Sequence, residues 1–94
     1  MTAEGKGGQL ARQAAMLGEL EAFRLYLDDR KRWREGLTTG QMPDATHSEQ
    51  DAADAIHQAC GIRSRAELDH NEMPGVMFKR IVSGFGRWKR RAGL

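Results

Sequence analysis

Cysteine, long apolar runs and strand patterns are all scarce in this sequence. Its single cysteine, Cys60, excludes an internal disulfide and suits a reducing compartment. The apolar runs are only a few residues long, whereas a membrane-spanning helix needs about 20 residues. No segment alternates polar residues with β-branched or aromatic ones, as a half-buried strand would. The N-terminus is polar and shows no signal peptide, so we expect a cytoplasmic protein with no membrane partner.

Catalytic and cofactor-binding signatures are also missing. His57 and Cys60 stand three residues apart on a predicted helix, but a zinc site needs four converging ligands and this pair supplies only two. The glycines follow no predicted strand and lack the spacing of a phosphate-binding loop. We therefore expect a protein that is not an enzyme and that holds no cofactor and no metal.

Acidic residues are absent after Glu72, and this makes the charge distribution lopsided. Residues 1–72 contain all 13 acids and nine of the 15 basic residues, a net charge of −4. Residues 73–94 contain the other six basic residues, a net charge of +6. Cations at the end of a helix complement its dipole, which explains about two of these six. The excess indicates a negatively charged partner.

The apolar pattern predicts an all-α fold, a single small domain of four to five short helices. Residues 1–8 are rich in glycine and are predicted to be disordered, which leaves residues 9–94 for the domain. A helical region runs from about residue 9 to residue 33, and Gly18 is expected to divide or kink it. Its predicted buried stripe consists of Met16, Leu20, Phe23 and Leu27, with Leu10, Ala14 and Leu17 on an adjacent line.

Turn residues and capping patterns predict a loop and a helix in the middle of the chain. Residues 35–45 contain two glycines, two threonines and a proline, and are predicted to form a mobile loop. The next helix begins at a capping box, either Thr46 with Glu49 or Ser48 with Asp51. It is expected to end at Gly61 in the left-handed conformation.

The last helix combines an apolar stripe with a basic flank. A second capping box, Ser64 with Glu67, predicts a short helix before it, and Asn71 is its predicted cap. Gly84 and Gly86 either permit close packing or loosen its basic end. Its predicted core stripe, spaced by three or four residues, consists of Met73, Met77, Ile81, Phe85 and Trp88.

Two segments, residues 30–34 and 87–91, each place a tryptophan among basic residues at the end of a predicted helix. Arginine and lysine neutralise phosphates, and an unpaired base stacks on an aromatic ring. In the alternative interpretation both tryptophans, Trp33 and Trp88, are core anchors, as large aromatics mostly are. The candidate nucleic-acid-binding residues are Arg30, Lys31, Arg32, Arg34, Lys79, Arg80, Arg87, Trp88, Lys89, Arg90 and Arg91.

The second half of the chain resembles small helical proteins of phages and prophages. The resemblance rests on the tract 53–69, with its Cys-Gly helix end and Ser-Arg-Ala-Glu-Leu-Asp cap, followed by the spaced aromatics Phe78, Phe85 and Trp88. Such proteins are often encoded beside replication and recombination genes. The resemblance implies an accessory protein that acts on DNA or on a host protein that handles nucleic acid. It implies no catalytic or binding residue.

These patterns leave two interpretations of function. In the first, the basic final helix binds nucleic acid, DNA rather than RNA, through phosphates and with little sequence readout. In the second, the chain is an inhibitor or adaptor that docks on a host protein or nuclease complex through the loop 35–45 and an acidic face formed by Glu49, Asp51 and Asp54. That acidic face also fits the basic tail of a second copy, so a homodimer is possible.

Overall fold

The computed structural model describes residues 8–94, and within that range the chain forms five α-helices and no strand. This confirms the predicted all-α fold. The helices are α1 (Gln9–Glu19), α2 (Glu21–Glu35), α3 (Glu49–Cys60), α4 (Glu67–His70) and α5 (Glu72–Ala92). Apart from Gly8, the segment predicted to be disordered, residues 1–8, lies outside the described residues.

The first helical region breaks at Leu20, two residues beyond the predicted point. α1 ends at Glu19, Leu20 is extended with φ −77° and ψ 124°, and α2 begins at Glu21. Gly18 stays helical and buried, and the Cβ of Ala52 on α3 lies 3.8 Å from where a Gly18 side chain would begin. Of the two predicted forms, a divided region or a kinked helix, the structure shows the division, but this glycine serves helix packing rather than helix termination.

The break at Leu20 changes which residues of α1 and α2 are buried. Half of the predicted stripe is wrong, because Met16 and Leu20 are 66% and 47% exposed, while Phe23 is 1% exposed. On α1 the core face runs instead through Ala14 and Leu17, on the adjacent line. A stripe drawn across both helices assumes one continuous helical phase, and the extended residue between them resets that phase.

α3 begins with a capping box in the second of the two predicted registers. The hydroxyl of Ser48 accepts from the Asp51 amide at 3.1 Å, and the Asp51 carboxylate accepts from the Ser48 amide at 2.9 Å. Thr46, the other candidate cap, makes its hydrogen bond elsewhere. The end of α3 agrees with the prediction, since Gly61 is left-handed at φ 68° and Ile62 beyond it is buried.

A carboxylate at the end of the chain's shortest described helix caps the start of α1. Asp69 on α4 accepts from the amides of Gly8, Leu10 and Ala11 at 2.8 to 2.9 Å. The first amides of a helix lack partners within it, and this carboxylate satisfies three of them. Burial acts to raise the pKa of Asp69, but the three amide bonds outweigh it and hold the pKa below its usual value.

α5 supplies much of the aromatic core, along a line shifted from the predicted one. Phe78 and Phe85 are 0% and 6% exposed, whereas Met73, a predicted core residue, is 65% exposed. Met77, Ile81 and Trp88 pack partly buried against the core, as the stripe predicts. Asn71 occupies the N-cap position but makes no side-chain hydrogen bond there.

α3 lies at the centre of the packing. α1 and α5 both pack against it, and α2 contacts α1, α3 and α5. Ala52 and Ile56 of α3 are 0% and 1% exposed, and the small side chain of Ala52 lets α1 approach closely at Gly18. Because α2 and α5 are neighbours, the two tryptophan-containing helix ends come together on one side of the molecule.

Candidate nucleic-acid interface

A groove between α2 and α5 brings the two arginine/tryptophan segments together. We call it the α2–α5 groove, and one part of it is a cleft of about 370 Å³. A second cleft of about 350 Å³ shares several of the same side chains and extends the groove towards α3, where Arg80 lines it. The residues lining the first cleft are Tyr26, Asp29, Arg30, Trp33, Arg34, Gly84, Arg87, Trp88 and Arg91.

The spacing of residues on α5 explains its contribution to the groove. Arg80, Gly84, Arg87 and Arg91 follow one another at intervals of four, three and four residues, which keeps them on one side of an α-helix. At Gly84 an added Cβ would lie 2.9 Å from the Tyr26 hydroxyl. The glycine therefore lets Tyr26 of α2 approach α5 closely and brings the two rows of arginines towards each other.

On α2 the groove residues follow the same helical rule. Tyr26, Arg30 and Arg34 are four residues apart, and Trp33 lies three residues after Arg30. The Arg30 guanidinium lies over the Tyr26 ring, with Cζ 5.6 Å from the ring centre, and donates to the Tyr26 hydroxyl at 3.4 Å. The ring thus orients one of the groove's cations.

Aromatic side chains form the floor of the groove. The rings of Tyr26 and Trp88 are 5.5 Å apart, and Phe85 lies 5.6 Å from Tyr26 and 6.3 Å from Trp88. The indole N–H of Trp88 donates to Asp29 Oδ2 at 2.9 Å, which ties α5 to α2 at this point. These contacts give the cationic side chains a fixed base.

The guanidinium groups of the groove are not neutralised by any carboxylate among the residues that the structure describes. Within residues 8–94, no carboxylate lies within ion-pair distance of Arg30, Arg34, Arg80, Arg87 or Arg91. Asp29 is acidic and lines the groove, but its oxygens face Trp88 and Arg32. Five like charges on facing helices create a local positive potential that favours a polyanion.

The two tryptophans differ sharply in exposure. Trp33 is 87% exposed, so the interpretation of it as a core anchor is wrong. Trp88 is partly buried and packs against the core, which agrees with the interpretation of it as a core anchor. An indole so exposed at the mouth of a cationic groove is unusual, because large aromatics are mostly covered.

Arg32 belongs to the predicted binding residues, but the structure buries it. It is 8% exposed and donates to the carbonyl of Met42 at 3.0 Å. Its guanidinium also pairs with Asp44 at 2.9 Å and with Asp29 at 3.5 Å. We therefore remove Arg32 from the candidate interface and assign it to the attachment of the loop.

Four other predicted residues lie away from the groove. Lys31 is on the side of α2 that faces Asp51 and Asp54 of α3. Lys79 lies near Asp69 and the start of α1. The Lys89 ammonium is 5.6 Å from the centre of the Phe85 ring. Arg90, at a spacing of 11 residues from Lys79, shares the Lys79 side of α5, so the six cations of this helix do not form one surface.

Sequence reasoning missed a buried carboxylate that fastens the segment between α2 and α3. Asp28 is fully buried and accepts from the Ala45 amide at 2.7 Å, the Thr46 hydroxyl at 2.5 Å and His47 Nδ1 at 2.6 Å. Ala45 has φ 69°, a left-handed value that non-glycine residues rarely adopt, and its bond to Asp28 helps hold it there. The loop predicted to be mobile thus has anchors from Asp28 and Arg32.

The same bonds determine how Asp28 titrates. Burial acts to raise its pKa, but the hydrogen bonds from Thr46, His47 and Ala45 outweigh burial and place the pKa below its usual value. Asp28 is therefore a charged carboxylate at neutral pH, paired inside the protein. Its only hint in the sequence is its position four residues before Arg32, since residues at this spacing share a helix face.

Residues that could hold a metal do not cluster in the part of the chain that the structure describes. Residues 8–94 contain no group of three or more histidine, cysteine, aspartate or glutamate side chains arranged for a metal ion. Cys60 is buried, which raises the pKa of its thiol. In the same range no helix combines the length and apolar character needed to cross a bilayer.

Comparisons of the chain with protein-family models, curated proteins and solved structures found no match. The resemblance to phage accessory proteins therefore stays a prediction, and the function has to be argued from the α2–α5 groove.

Proposed function

We propose that this protein binds nucleic acid, with little sequence preference, through the α2–α5 groove. The observation that supports this most directly is the meeting of five unpaired arginines from two helices around an aromatic floor. Each guanidinium offers a planar set of donors suited to phosphate oxygens. The basic final helix predicted from the sequence is thus one side of the proposed site, and α2 is the other.

The row of arginines on α5 has the length of a polymer-binding site. Arg80 and Arg91 are 11 residues apart, which corresponds to about 16 Å along a helix. Arg30 and Arg34 add a second row on α2, across the groove. A single small anion would engage one or two of these groups, whereas a polyanion can engage all five.

Contacts of this kind position a nucleic acid without reading its bases. Sequence readout requires donors and acceptors directed at base edges. Guanidiniums can donate to guanine edges, but the residues that line the groove offer no free carboxylate acceptor, because Asp29 is already engaged by Trp88 and Arg32. We therefore propose general DNA binding, as an accessory to replication or recombination, rather than recognition of a particular site.

The second interpretation, docking on a host protein, receives less support. Its two surfaces are the loop 35–45 and the acidic face of α3, and both are partly used inside the molecule. Asp51 closes the capping box with Ser48, Asp54 accepts from Gln50 at 2.9 Å, and Arg32 holds the loop at Met42 and Asp44. A protein partner becomes the favoured interpretation if the binding experiments detect no nucleic-acid binding.

Salt dependence tests the proposal. If five arginines each neutralise one phosphate of a single strand, the logarithm of the binding constant falls with the logarithm of the salt concentration with a slope of about −3.5. Binding of a fluorescent oligothymidine should then weaken about 100-fold between about 50 and 200 mM salt. Fluorescence anisotropy measures both quantities.

A matched pair of variants locates the binding. R87Q/R91Q removes two charges from the groove, and K79Q/R90Q removes two from the other side of the same helix. The groove pair should change the slope to about −2, and the control pair should leave it near −3.5. Absence of salt-sensitive binding in the unmodified protein would eliminate the proposal and favour a protein partner.

A further inference from the structure

Trp33 has no evident role in folding, although it lies in the α2–α5 groove. Its side chain is 87% exposed, and it lies outside the cluster of packed aromatic rings formed by Phe23, Tyr26, Phe85 and Trp88. The indole lines the cleft of about 370 Å³ together with Arg30, Arg34, Arg87 and Arg91. The indole therefore lies exposed among cations, has no partner among residues 8–94 and is available to a ligand.

The neighbours of Trp33 restrict the chemistry of that ligand. Four arginines line the same cleft as the indole, so a ligand that covers the ring also meets up to four positive charges. The ligand must combine a flat apolar face with negative charge, and the length of the arginine row requires a polymer. A nucleic-acid strand repeats a flat base and a negatively charged phosphate along its length.

The shape of the groove favours a single strand over a duplex. In a double helix each base is already stacked on its neighbours, so its faces are closed to an indole. A side chain that reads a duplex is presented on an element that protrudes into a groove about 12 Å wide. Here the arginines line a recess between two helices, which a flexible strand can enter and the convex surface of a duplex can meet only at its rim.

Resting on the proposed function above, we propose that the natural occupant of the α2–α5 groove is single-stranded nucleic acid and that one of its bases stacks on the Trp33 indole. The arginines of both helices contact the phosphates on either side of that base. Trp88 forms part of the floor of the groove, whereas Trp33 provides the exposed indole on which the base stacks. Stacking of this kind is tolerant of sequence, because every base has a flat face.

Trp33→Ala, Trp33→Phe and the unmodified chain give the test, with three fluorescent probes. The probes are an oligothymidine of about 12 nucleotides, within the range of known single-strand sites, an abasic strand of equal length, and a longer duplex. Trp33→Ala should weaken oligothymidine binding by about 5- to 150-fold, the loss expected for one stacked base. Binding of the abasic strand and of the duplex should be unchanged, and Trp33→Phe should retain most of the affinity for oligothymidine.

The outcomes separate this inference from the proposed function. If Trp33→Ala binds oligothymidine as tightly as the unmodified chain, or if the duplex is preferred, the single-strand inference is overturned. In that case loss of binding in R87Q/R91Q still upholds nucleic-acid binding by the groove. If the unmodified chain binds none of the three probes at low salt, the proposed function itself fails. Because Trp33 is exposed, thermal unfolding should show that all these variants are folded.

Discussion

The two arginine/tryptophan segments have similar sequences but opposite arrangements. In residues 30–34, Arg32 is buried against the loop and Trp33 is 87% exposed. In residues 87–91, Trp88 is packed on Tyr26, while Arg87 and Arg91 line an open groove. The comparison shows that a cluster of tryptophan and arginine indicates a surface chemistry without indicating which member is exposed.

Position on each helix explains the difference. Arg32 lies four residues after the buried Asp28, and Trp88 lies three residues after the buried Phe85. Residues at these spacings share a helix face, so each follows its buried neighbour inwards. Arg30, Trp33 and Arg34 of the first segment then line the α2–α5 groove together with Arg87 and Arg91 of the second.

Replacing the two tryptophans should separate their structural roles. Trp88→Ala removes a ring that packs against Tyr26 and Phe85 and a hydrogen bond to Asp29. Because Trp88 is only partly buried, we expect a loss of about 3 kcal/mol in the free energy of unfolding, at the low end for such substitutions. Trp33→Ala should change it by less than about 0.5 kcal/mol. Urea denaturation measures both values, and equal losses would contradict the assigned positions.

Asp28→Asn should weaken the attachment of the loop to α2. We expect a loss of about 2 kcal/mol at pH 7, because the amide cannot satisfy all three donors from Ala45, Thr46 and His47. Asp54→Asn, on the exposed surface of α3, is the control and should change stability by less than about 0.5 kcal/mol.

The effect of Asp28→Asn should also depend on pH. The pKa of Asp28 is lower in the folded protein than in the unfolded chain, where it is about 3.9. Its charge therefore stabilises the fold above that value, and the contribution is lost as the pH falls through the folded-state pKa. Unfolding measured at pH 7 and in acid should show the difference between variant and parent shrinking in acid. A difference that stays constant would show that this carboxylate acts by packing alone.

Arginine replacements on α2 should show a smaller contrast of the same kind. Arg32→Ala removes a buried guanidinium that contacts Met42 and Asp44, and should cost about 1 to 2 kcal/mol of stability. Arg34→Ala removes an exposed one and should change stability by less than about 0.5 kcal/mol. For nucleic-acid binding the order should reverse, with Arg34→Ala the weaker binder. Thermal unfolding and fluorescence anisotropy on the same samples measure both orders. The same order in stability and in binding would contradict the prediction.

Features encoded by neighbouring residues could be predicted from the sequence. The left-handed end of α3 at Gly61 and the cap at Ser48 and Asp51 depend on residues within one helical turn. The all-α fold follows from the same local patterns. The sequence predicts the break at Gly18 rather than at Leu20, because Leu20 is neither a glycine nor a proline.

Features that join distant residues could not be predicted in this way. Asp69 caps amides that lie 58 to 61 residues before it, and no local pattern reports such a bond. The α2–α5 groove likewise requires two helices that are separated in sequence by α3 and α4 to become neighbours. The sequence indicates the types of residue in the groove. Only the fold shows which cations line it, namely Arg30, Arg34, Arg80, Arg87 and Arg91.

The most direct test of a shared groove changes one cation on each helix. R34Q/R87Q removes one guanidinium from either side of the α2–α5 groove, whereas K31Q/K79Q removes the same charge from the same helices outside it. In salt titrations with a fluorescent oligothymidine, we predict that the slope changes from about −3.5 to about −2 for R34Q/R87Q only. An equal change in both variants would mean that net charge rather than the groove controls binding, and would contradict the central claim.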